Sequence, residues 1–318
     1  MDLIVIGGGA AGLMAAGTAA KRGLKVTLIE RNEKLARKVG ITGKGRCNVT
    51  NSCPLLNELI SNVPVNGRFL YGAFSRFSTD DTIDFFEEMG VPLKIERGNR
   101  VFPVSDKALD IVDALNKYIT VNGVKRKNGR VTELIIEDGA VKGCRTDDGR
   151  EFFADNVLIA TGGMSYPGTG STGDGYALAK QAGHTITDLK PSLVPLECHE
   201  GWCTEAMGLS LRNVEIRVED TKTYKEVYKD FGEMLFTHFG VSGPMILSAS
   251  SHMRNMEKGR YMIHIDFKPA LTYEQLDKRI QRDLLECSNK NLYNTLALML
   301  PRKMIPIVVK LSGLNGNI

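Results

Sequence analysis

The 318-residue sequence lacks the features that mark several large classes of protein. It contains no run approaching the roughly 18 consecutive apolar residues that a membrane-spanning helix requires, so we expect no membrane partner. No basic segment followed by an apolar stretch opens the sequence, which predicts a cytoplasmic protein without a signal peptide. The six cysteines do not form the pattern of a disulfide framework.

A strong charge of either sign is also missing. The formal net charge is +4, and the basic residues are dispersed along the chain. Proteins that bind nucleic acid usually concentrate Lys and Arg on one face, so we expect no nucleic-acid partner. We interpret the short basic run at residues 125–127 as a solvated turn. Nothing in the composition indicates an oligomeric state.

Glycine, in contrast, is concentrated in short motifs, and the first of them lies inside a predicted βαβ unit. Residues 3–6 form a short apolar run typical of a buried parallel strand. Residues 10–22 are rich in Ala and predict a helix that ends at Gly23. Residues 26–29 predict a second buried strand, which Glu30 closes. Together these segments predict one right-handed βαβ unit.

The motif Gly-Gly-Gly-Ala-Ala-Gly at residues 7–12 joins the first strand to the helix. Gly7 permits a tight turn, Gly9 lets the backbone approach a pyrophosphate, and Gly12 allows close helix–strand packing. The helix N-terminus offers free N–H groups to the anion. Glu30 can accept hydrogen bonds from ribose hydroxyls and disfavours a 2′-phosphate, and therefore NADP, at this site. The unit predicts a dinucleotide-binding site.

Two further glycine-rich stretches are less specific. Residues 168–173 also match G-x-G-x-x-G, but Pro167 precedes them and no strand leads into them, so we predict a loop that enters a helix at Asp174 and lines the site. Residues 37–51 combine basic residues, glycines, and Asn and Thr side chains. They suit a loop around an anionic ligand, although a basic surface loop is the alternative. Gly45 follows Lys44, so a Walker motif is excluded.

The rest of the chain predicts further helices and strands and a domain boundary near residue 190. Helical spacing occurs at residues 79–89, 105–119 and 174–183, and residues 130–161 predict a three-stranded meander followed by a buried strand. Alternating residues at 214–219 and 261–267 predict antiparallel strands with one wet face. The segment 273–312 predicts helices interrupted at Pro301 and Pro306.

Several of these motifs resemble those of the BaiN-like flavoproteins, a bacterial family of NAD(P)- and FAD-dependent oxidoreductases. The resemblance rests on residues 7–12, 38–51, 160–167, 168–176 and 235–244, and it extends over the whole chain. It implies an α/β fold with FAD rather than NAD at the first glycine motif. A Rossmann-like domain of the glutathione-reductase type would span residues 1–190 and carry the meander. An inserted α+β domain would span residues 191–318, with a small β-barrel at about 191–268 and helices at about 269–318.

The resemblance also implies which residues hold the cofactor. The residues expected at the ADP half are Gly7, Gly9, Ala10, Ala11, Gly12 and Glu30, with the backbone of Val131 at the adenine. Those expected at the pyrophosphate and flavin are Arg31, Lys38, Thr42, Gly43, Gly45, Arg46, Cys47 and Asn48, with Ala160, Thr161, Gly162 and Gly163 passing close by. Family members then return to the FAD domain through a Gly-Gly-Tyr-Asn-like stretch that has no counterpart here. We therefore expect the flavin half of the site to lack part of its wall.

Three residues are candidates for catalysis, and each has a structural alternative. Cys47 is either a redox thiol or a buried structural one, and without a C-x-x-C motif a disulfide reductase is disfavoured. His238 could shuttle a proton or fix a turn, and Tyr166 could polarise a carbonyl or merely pack. Cys198 and Cys203 have poor spacing for zinc, so we expect no metal.

The implied function is an FAD-dependent oxidoreductase acting on a small-molecule substrate. Two reaction types stay open: reduction of an activated C=C bond such as an enone, with NAD(P)H as transient electron donor, and oxidation of an amine or aminoketone by O₂. The alternatives are a relative of the tRNA-modifying FAD enzymes, a non-catalytic flavin-binding protein, and a plain NAD dehydrogenase.

Overall fold

The computed structural model describes residues 1–289 and 291–315, and the chain divides into two units, Met1–Asp188 and Leu189–Ile318. The strands of the first unit are β1 (Asp2–Ile6), β2 (Lys25–Glu30), β3 (Thr50–Asn51), β4 (Leu93–Glu96), β5 (Arg100–Pro103), β6 (Lys125–Asn128), β7 (Val131–Glu137), β8 (Ala140–Thr146), β9 (Glu151–Phe153) and β10 (Asn156–Ile159). Its helices are α1 (Ala10–Lys21), α2 (Arg37–Ile41), α3 (Leu56–Ser61), α4 (Tyr71–Phe74), α5 (Thr79–Glu88), α6 (Ala108–Val121) and α7 (Asp174–Gln181), with short 3₁₀ turns at Thr42–Gly45, Gly67–Leu70 and Pro167–Thr169.

A parallel sheet in the order β10–β1–β2–β6 lies at the centre of the first unit. Ile4, Val5 and Ile6 of β1 are buried, because both faces of the sheet are covered. On one face, Leu13 of α1 and Leu115 of α6 pack into the same apolar cluster as Val5. The predicted βαβ unit is therefore present, and it places the loop after β1 beside the end of β2.

The basic run at residues 125–127 is not a turn, and that prediction was wrong. These residues belong to β6, which pairs in parallel with β2 at the edge of the sheet. Their side chains are exposed, so the strand carries no apolar pattern that sequence analysis could detect. Charged residues, lysine especially, are common on edge strands, where they discourage pairing with another chain.

Two antiparallel sheets are inserted along the chain between strands of the parallel one, one between β2 and β6 and the other between β6 and β10. The predicted meander is present as β7–β8–β9, and Asp138 (φ 51°) and Gly139 (φ 74°) form its first turn in the left-handed region. A second three-stranded sheet, in the order β3–β5–β4, adjoins α5. The N-terminus of α5 is fixed by a capping box between Ser78 and Asp81.

The second unit consists of an antiparallel sheet and helices. Its sheet runs in the order β11–β14–β13–β12–β15, formed by β11 (Leu196–Glu197), β12 (Ser210–Asp220), β13 (Lys225–Phe236), β14 (Gly240–Ser242) and β15 (Tyr261–Asp266). The helices are α8 (Trp202–Glu205), α9 (Pro244–His252), α10 (Tyr273–Glu286), α11 (Leu292–Leu296) and α12 (Met304–Ser312). Ile216, Val218, Met234, Phe236 and Ile246 are buried between the sheet and α9 and form the centre of this unit's core.

The prolines of the C-terminal segment do not both interrupt helices as predicted. Pro301 lies in the connection between α11 and α12. Pro306, however, is the third residue of α12, where its missing N–H would have no partner within the helix. The prediction of a break at Pro306 was therefore wrong, since the first helical turn tolerates proline.

Candidate functional site

A cavity of about 560 Å³ lies at the carboxyl end of the parallel sheet. It is bounded by the loop after β1, the end of β2 and the loop after β10, which is where open α/β sheets bind ligands. Among the residues predicted to hold FAD, those that line it are Gly7, Gly9, Ala10, Ala11, Glu30, Arg31, Lys38, Thr42, Cys47, Asn48, Val131, Ala160, Thr161 and Gly162.

The glycines after β1 are required by close backbone contacts. Gly7 has a φ of +107°, and a Cβ there would lie 2.5 Å from the carbonyl oxygen of Ala160. A Cβ on Gly12 would lie 1.8 Å from the carbonyl oxygen of Gly7. Gly12 does not line the cavity; it lets α1 pack against the loop that does. Gly9 faces open space, with no atom within 4 Å of a Cβ built on it.

The N-terminus of α1 faces the cavity without a side-chain cap. Gly9 is the N-cap residue and has no side chain to offer, and the amide of Leu13 donates to the Gly9 carbonyl at 2.9 Å. The amides of Ala10 and Ala11, in the first turn before Leu13, therefore have no partner within the helix. Free N–H groups and the positive end of the helix dipole favour a phosphate at this position.

Glu30 is held at the end of β2 by two neighbours. Its Oε2 accepts a hydrogen bond from the amide of Gly8 at 2.6 Å, and its Oε1 accepts from the backbone and side-chain nitrogens of Asn32 at 2.8 and 2.6 Å. The residue is 8% exposed. These bonds fix the carboxylate at the cavity wall, where its remaining lone pairs can accept hydrogen bonds from ribose hydroxyls.

An ionic cluster that the sequence did not reveal forms another part of the wall. Asp174, at the start of α7, accepts from Nε and Nη2 of Arg130 at 2.9 Å each, and Nη1 of Arg31 lies 3.1 Å from its Oδ2. The hydrogen bonds from Arg130 hold the pKa of the Asp174 carboxyl below its usual range. All three residues line the cavity, and Arg130 precedes Val131, the residue expected at the adenine. Arg31, Arg130 and Asp174 are far apart in sequence, which is why no motif pointed to the cluster.

The loop after α2 closes another side of the cavity. Nζ of Lys38, in α2 itself, donates to the carbonyl oxygen of Ser165 at 2.7 Å and so joins the helix before this loop to the loop after β10. Thr42, Cys47 and Asn48 face the cavity. Gly43, Gly45, Arg46 and Gly163, which were also expected at the cofactor, do not line it. The glycine-rich stretch at 168–173 contributes Thr169, Gly170 and Ser171, as the loop prediction implied.

Aromatic and aliphatic side chains make up the remaining wall. Phe85 and Phe86 of α5, and Ile111 and Leu115 of α6, line the cavity together with Met14 of α1. They belong to or pack against the apolar cluster of the first unit. A cavity with polar groups on one side and an apolar surface on the other suits a nucleotide joined to an apolar ring system.

The three candidate catalytic residues have different surroundings. Cys47 lines the cavity and is 5% exposed, and burial raises the pKa of its thiol. Tyr166 is exposed and does not line the cavity; its backbone lies in the left-handed region (φ 53°). His238 belongs to the second unit, on the exposed turn between β13 and β14, where its ring lies edge-on to Phe239.

The described parts of the chain reveal no competing metal centre. Residues 1–289 and 291–315 contain no group of three or more His, Cys, Asp or Glu side chains that could hold a metal ion. Within the same residues, no helix has both the length and the apolar character needed to cross a membrane.

The site meets the steric and chemical requirements of FAD. A glycine turn leaves room for the pyrophosphate, a helix N-terminus faces it, and Glu30 is placed for the ribose. The apolar wall provides a surface for an isoalloxazine ring. A Rossmann-type fold with this site defines a dinucleotide-binding protein.

Comparisons with known proteins identify its family. The HI0933-like Rossmann domain matches residues 1–250, and the HI0933-like barrel and H2TH domain matches residues 190–317. The chain is 31% identical over 319 residues to the 3-dehydro-bile acid delta(4,6)-reductase of Clostridium scindens, covering 98% of this chain and 76% of that protein. The ribosomal RNA dihydrouridine synthases of Escherichia coli and Haemophilus influenzae are 30% and 28% identical, each over 96% of this chain and over 72% and 73% of their own length.

The protein therefore belongs to the HI0933-like family and is a BaiN-like FAD-dependent oxidoreductase. This confirms the resemblance seen in the sequence and the predicted fold, a Rossmann-like domain followed by a barrel and helices.

Proposed function

We propose that the protein reduces a C=C bond conjugated to a carbonyl group in a small organic molecule, with NAD(P)H as the electron donor. The observation that carries the proposal is the 31% identity, over 98% of this chain, to a reductase of an unsaturated 3-dehydro-bile acid.

The residues of the cavity would hold and orient the cofactor. The free amides at the start of α1 would bind the pyrophosphate, and Glu30 would accept the ribose hydroxyls. Lys38 lines the cavity and donates to the loop after β10, and it would contribute positive charge beside the cofactor. Bound FAD would supply the hydride transfer, which no side chain of the protein can perform.

The protein would also have to supply a proton. Saturating a conjugated C=C bond adds a hydride at one carbon and a proton at the other, so a general acid is needed. Tyr166, in the loop after β10 that borders the cavity, is the candidate that we propose, through its phenol. Burial raises the pKa of the Cys47 thiol, so this thiol donates a proton less readily than an exposed one.

A nucleobase in RNA is the second candidate substrate. Two relatives at 28–30% identity are ribosomal RNA dihydrouridine synthases, and the C=C bond that is saturated in forming dihydrouridine is also conjugated to a carbonyl. The chemistry would be the same, while the substrate would be a macromolecule. The predicted absence of a nucleic-acid partner would then be wrong.

Anaerobic stopped-flow spectroscopy of the FAD-loaded protein tests the proposal. We expect NADH or NADPH to bleach the flavin absorbance, and a 4-en-3-one steroid to restore it with formation of the saturated ketone. Restoration by ribosomal RNA from a strain lacking its own dihydrouridine synthase would favour the second candidate. Bleaching by an aminoketone, followed by reoxidation with O₂ only, would overturn the reductase proposal.

A further inference from the structure

Arg46 lies in the loop after α2, which closes one side of the cavity, yet its side chain contacts the strands β4 and β5 and the residues after them. Its Nε and Nη2 donate to Oδ1 of Asp106 at 2.9 and 2.6 Å, and Nη2 and Nη1 donate to Glu96 at 2.5 and 3.3 Å. The guanidinium also lies over the ring of Phe102, 4.2 Å from its centroid. Glu96 ends β4, Phe102 is part of β5 and Asp106 follows β5, so Arg46 joins the loop to the β4–β5 hairpin.

The loop itself has an unusual backbone. Gly43 and Gly45 are in the left-handed region, and so are Lys44 (φ 59°) and Cys47 (φ 60°), whose side chains disfavour it. Such residues persist only where the surrounding structure holds them in place. Inside the turn, the amide of Cys47 donates to the carbonyl oxygen of Thr42 at 3.0 Å. Outside the turn, the guanidinium of Arg46 binds the β4–β5 hairpin, and the amide of Val49 donates to the carbonyl oxygen of Val101 in β5 at 2.8 Å. Of these two anchors, Arg46 is the one made by a side chain.

The two residues after Arg46 face the cavity instead of the hairpin. Cys47 and Asn48 line the cavity, and Cys47 is almost completely buried. The loop thus has an outer side, where Arg46 is bound, and an inner side that forms the cavity wall. We propose that Arg46 is a positioning residue: by fastening the outer side of the strained loop to the hairpin, it keeps Cys47 and Asn48 in the wall of the cofactor site.

Lysine could not replace arginine in this role. The contacts to Glu96 and Asp106 use three different nitrogens of one planar group, and the same plane lies against Phe102. A lysine ammonium is a single point charge with no plane to stack. Arg46→Lys should therefore release the loop almost as much as Arg46→Met, although it keeps the charge.

The accessibility of Cys47 in the cofactor-free protein reports on the loop directly. We expect N-ethylmaleimide to label Cys47 several-fold faster in Arg46→Met than in the unmodified protein, as measured by mass spectrometry of the peptide. Cys144 of β8 is fully buried in the same unit and serves as an internal reporter of general unfolding, so its labelling should not change. Arg145→Met is the matched control, because Arg145 also bonds two carboxylates, Glu133 and Glu151, but on the meander.

Titration with FAD, followed by flavin fluorescence, completes the test. Arg46→Met should weaken FAD binding several-fold, and Arg145→Met should not. Weaker binding with unchanged labelling of Cys47 would mean that Arg46 contacts the cofactor itself and would overturn the proposal. Faster labelling of both Cys47 and Cys144, or no change in either, would overturn it as well. The labelling needs neither substrate nor turnover, so its outcome is independent of the proposed reductase reaction.

Discussion

At the scale of single residues, Gly9 and Gly12 belong to one motif but differ in their surroundings. A Cβ on Gly12 would strike the backbone of Gly7 at 1.8 Å, whereas a Cβ on Gly9 would meet no atom within 4 Å. Gly12, which packing requires, and Gly9, which leaves space for the ligand, can therefore be separated by mutation, even though the sequence pattern treats them alike.

We predict that Gly12→Ala lowers the free energy of unfolding by about 1–3 kcal/mol or more. The atom that the new methyl group would meet is the backbone oxygen of Gly7, which cannot rotate away as a flexible side chain can. Gly9→Ala should stay within about 1 kcal/mol of the unmodified protein, because its φ of −81° suits alanine and the only loss is at the helix N-cap. It should nevertheless bind FAD much more weakly, because the new methyl group occupies the pyrophosphate position. Urea unfolding and FAD titration of both variants check this, and equal effects of the two on stability would contradict it.

Glu30 combines a structural role with the expected contact to the ribose. Glu30→Ala leaves the amides of Gly8 and Asn32 without their acceptor inside the protein, which should cost about 1–3 kcal/mol of stability. FAD affinity should fall as well, because the ribose loses its acceptor. Glu33→Ala removes the same charge from an exposed position in the loop that follows Glu30 and should change neither quantity. If Glu33→Ala weakened FAD binding equally, general electrostatics rather than a defined ribose contact would explain the result.

At the scale of elements, Asp174 connects three segments of the first unit. It begins α7 and binds Arg31, which follows β2, and Arg130, which precedes β7. The cluster holds the meander and α7 against the end of β2. Its stability should depend on the ionisation of a single carboxyl group.

The direction of the pH dependence follows from the lowered pKa of Asp174. A carboxyl group whose pKa is lower in the folded than in the unfolded protein stabilises the fold above the unfolded pKa of about 4, and this contribution is lost as the pH falls through the folded pKa. We predict that Asp174→Asn is less stable than the unmodified protein by about 1 kcal/mol at pH 7, because the ion pairs are partly exposed. In urea unfolding at decreasing pH the difference should shrink below about pH 5, and a constant difference would contradict the interpretation.

Elements with a clear local pattern could be predicted from the sequence, and those without one could not. The predicted helix at residues 10–22 agrees with α1 to within a residue, because its alanine-rich composition and Gly23 mark both its body and its end. The edge strand β6 is entirely charged or polar, so its identity depends on pairing with β2 and not on its own residues. The break predicted at Pro306 was wrong because the effect of a proline depends on its position within the helix.

At the scale of the whole molecule, the cofactor site was only partly readable in the sequence. The glycine motif and Glu30 are close in sequence and carry a known spacing, so they could be found without a structure. Asn32, Arg130 and Asp174 enter the site only through the fold. Arg46 shows the opposite case: its motif pointed to the cofactor, while tertiary contacts turn its side chain toward Glu96 and Asp106.

If the cavity of the first unit is an FAD site built on the start of α1, FAD should bind there and depend on the glycine at the helix start. This can be measured by equilibrium titration of the protein with FAD, followed by flavin fluorescence and absorbance, alongside Gly9→Ala. We predict saturable binding of one FAD per chain and a large loss of affinity in Gly9→Ala at unchanged stability. Absence of FAD binding by the unmodified protein, or binding that Gly9→Ala leaves intact, would show that the cavity is not such a site.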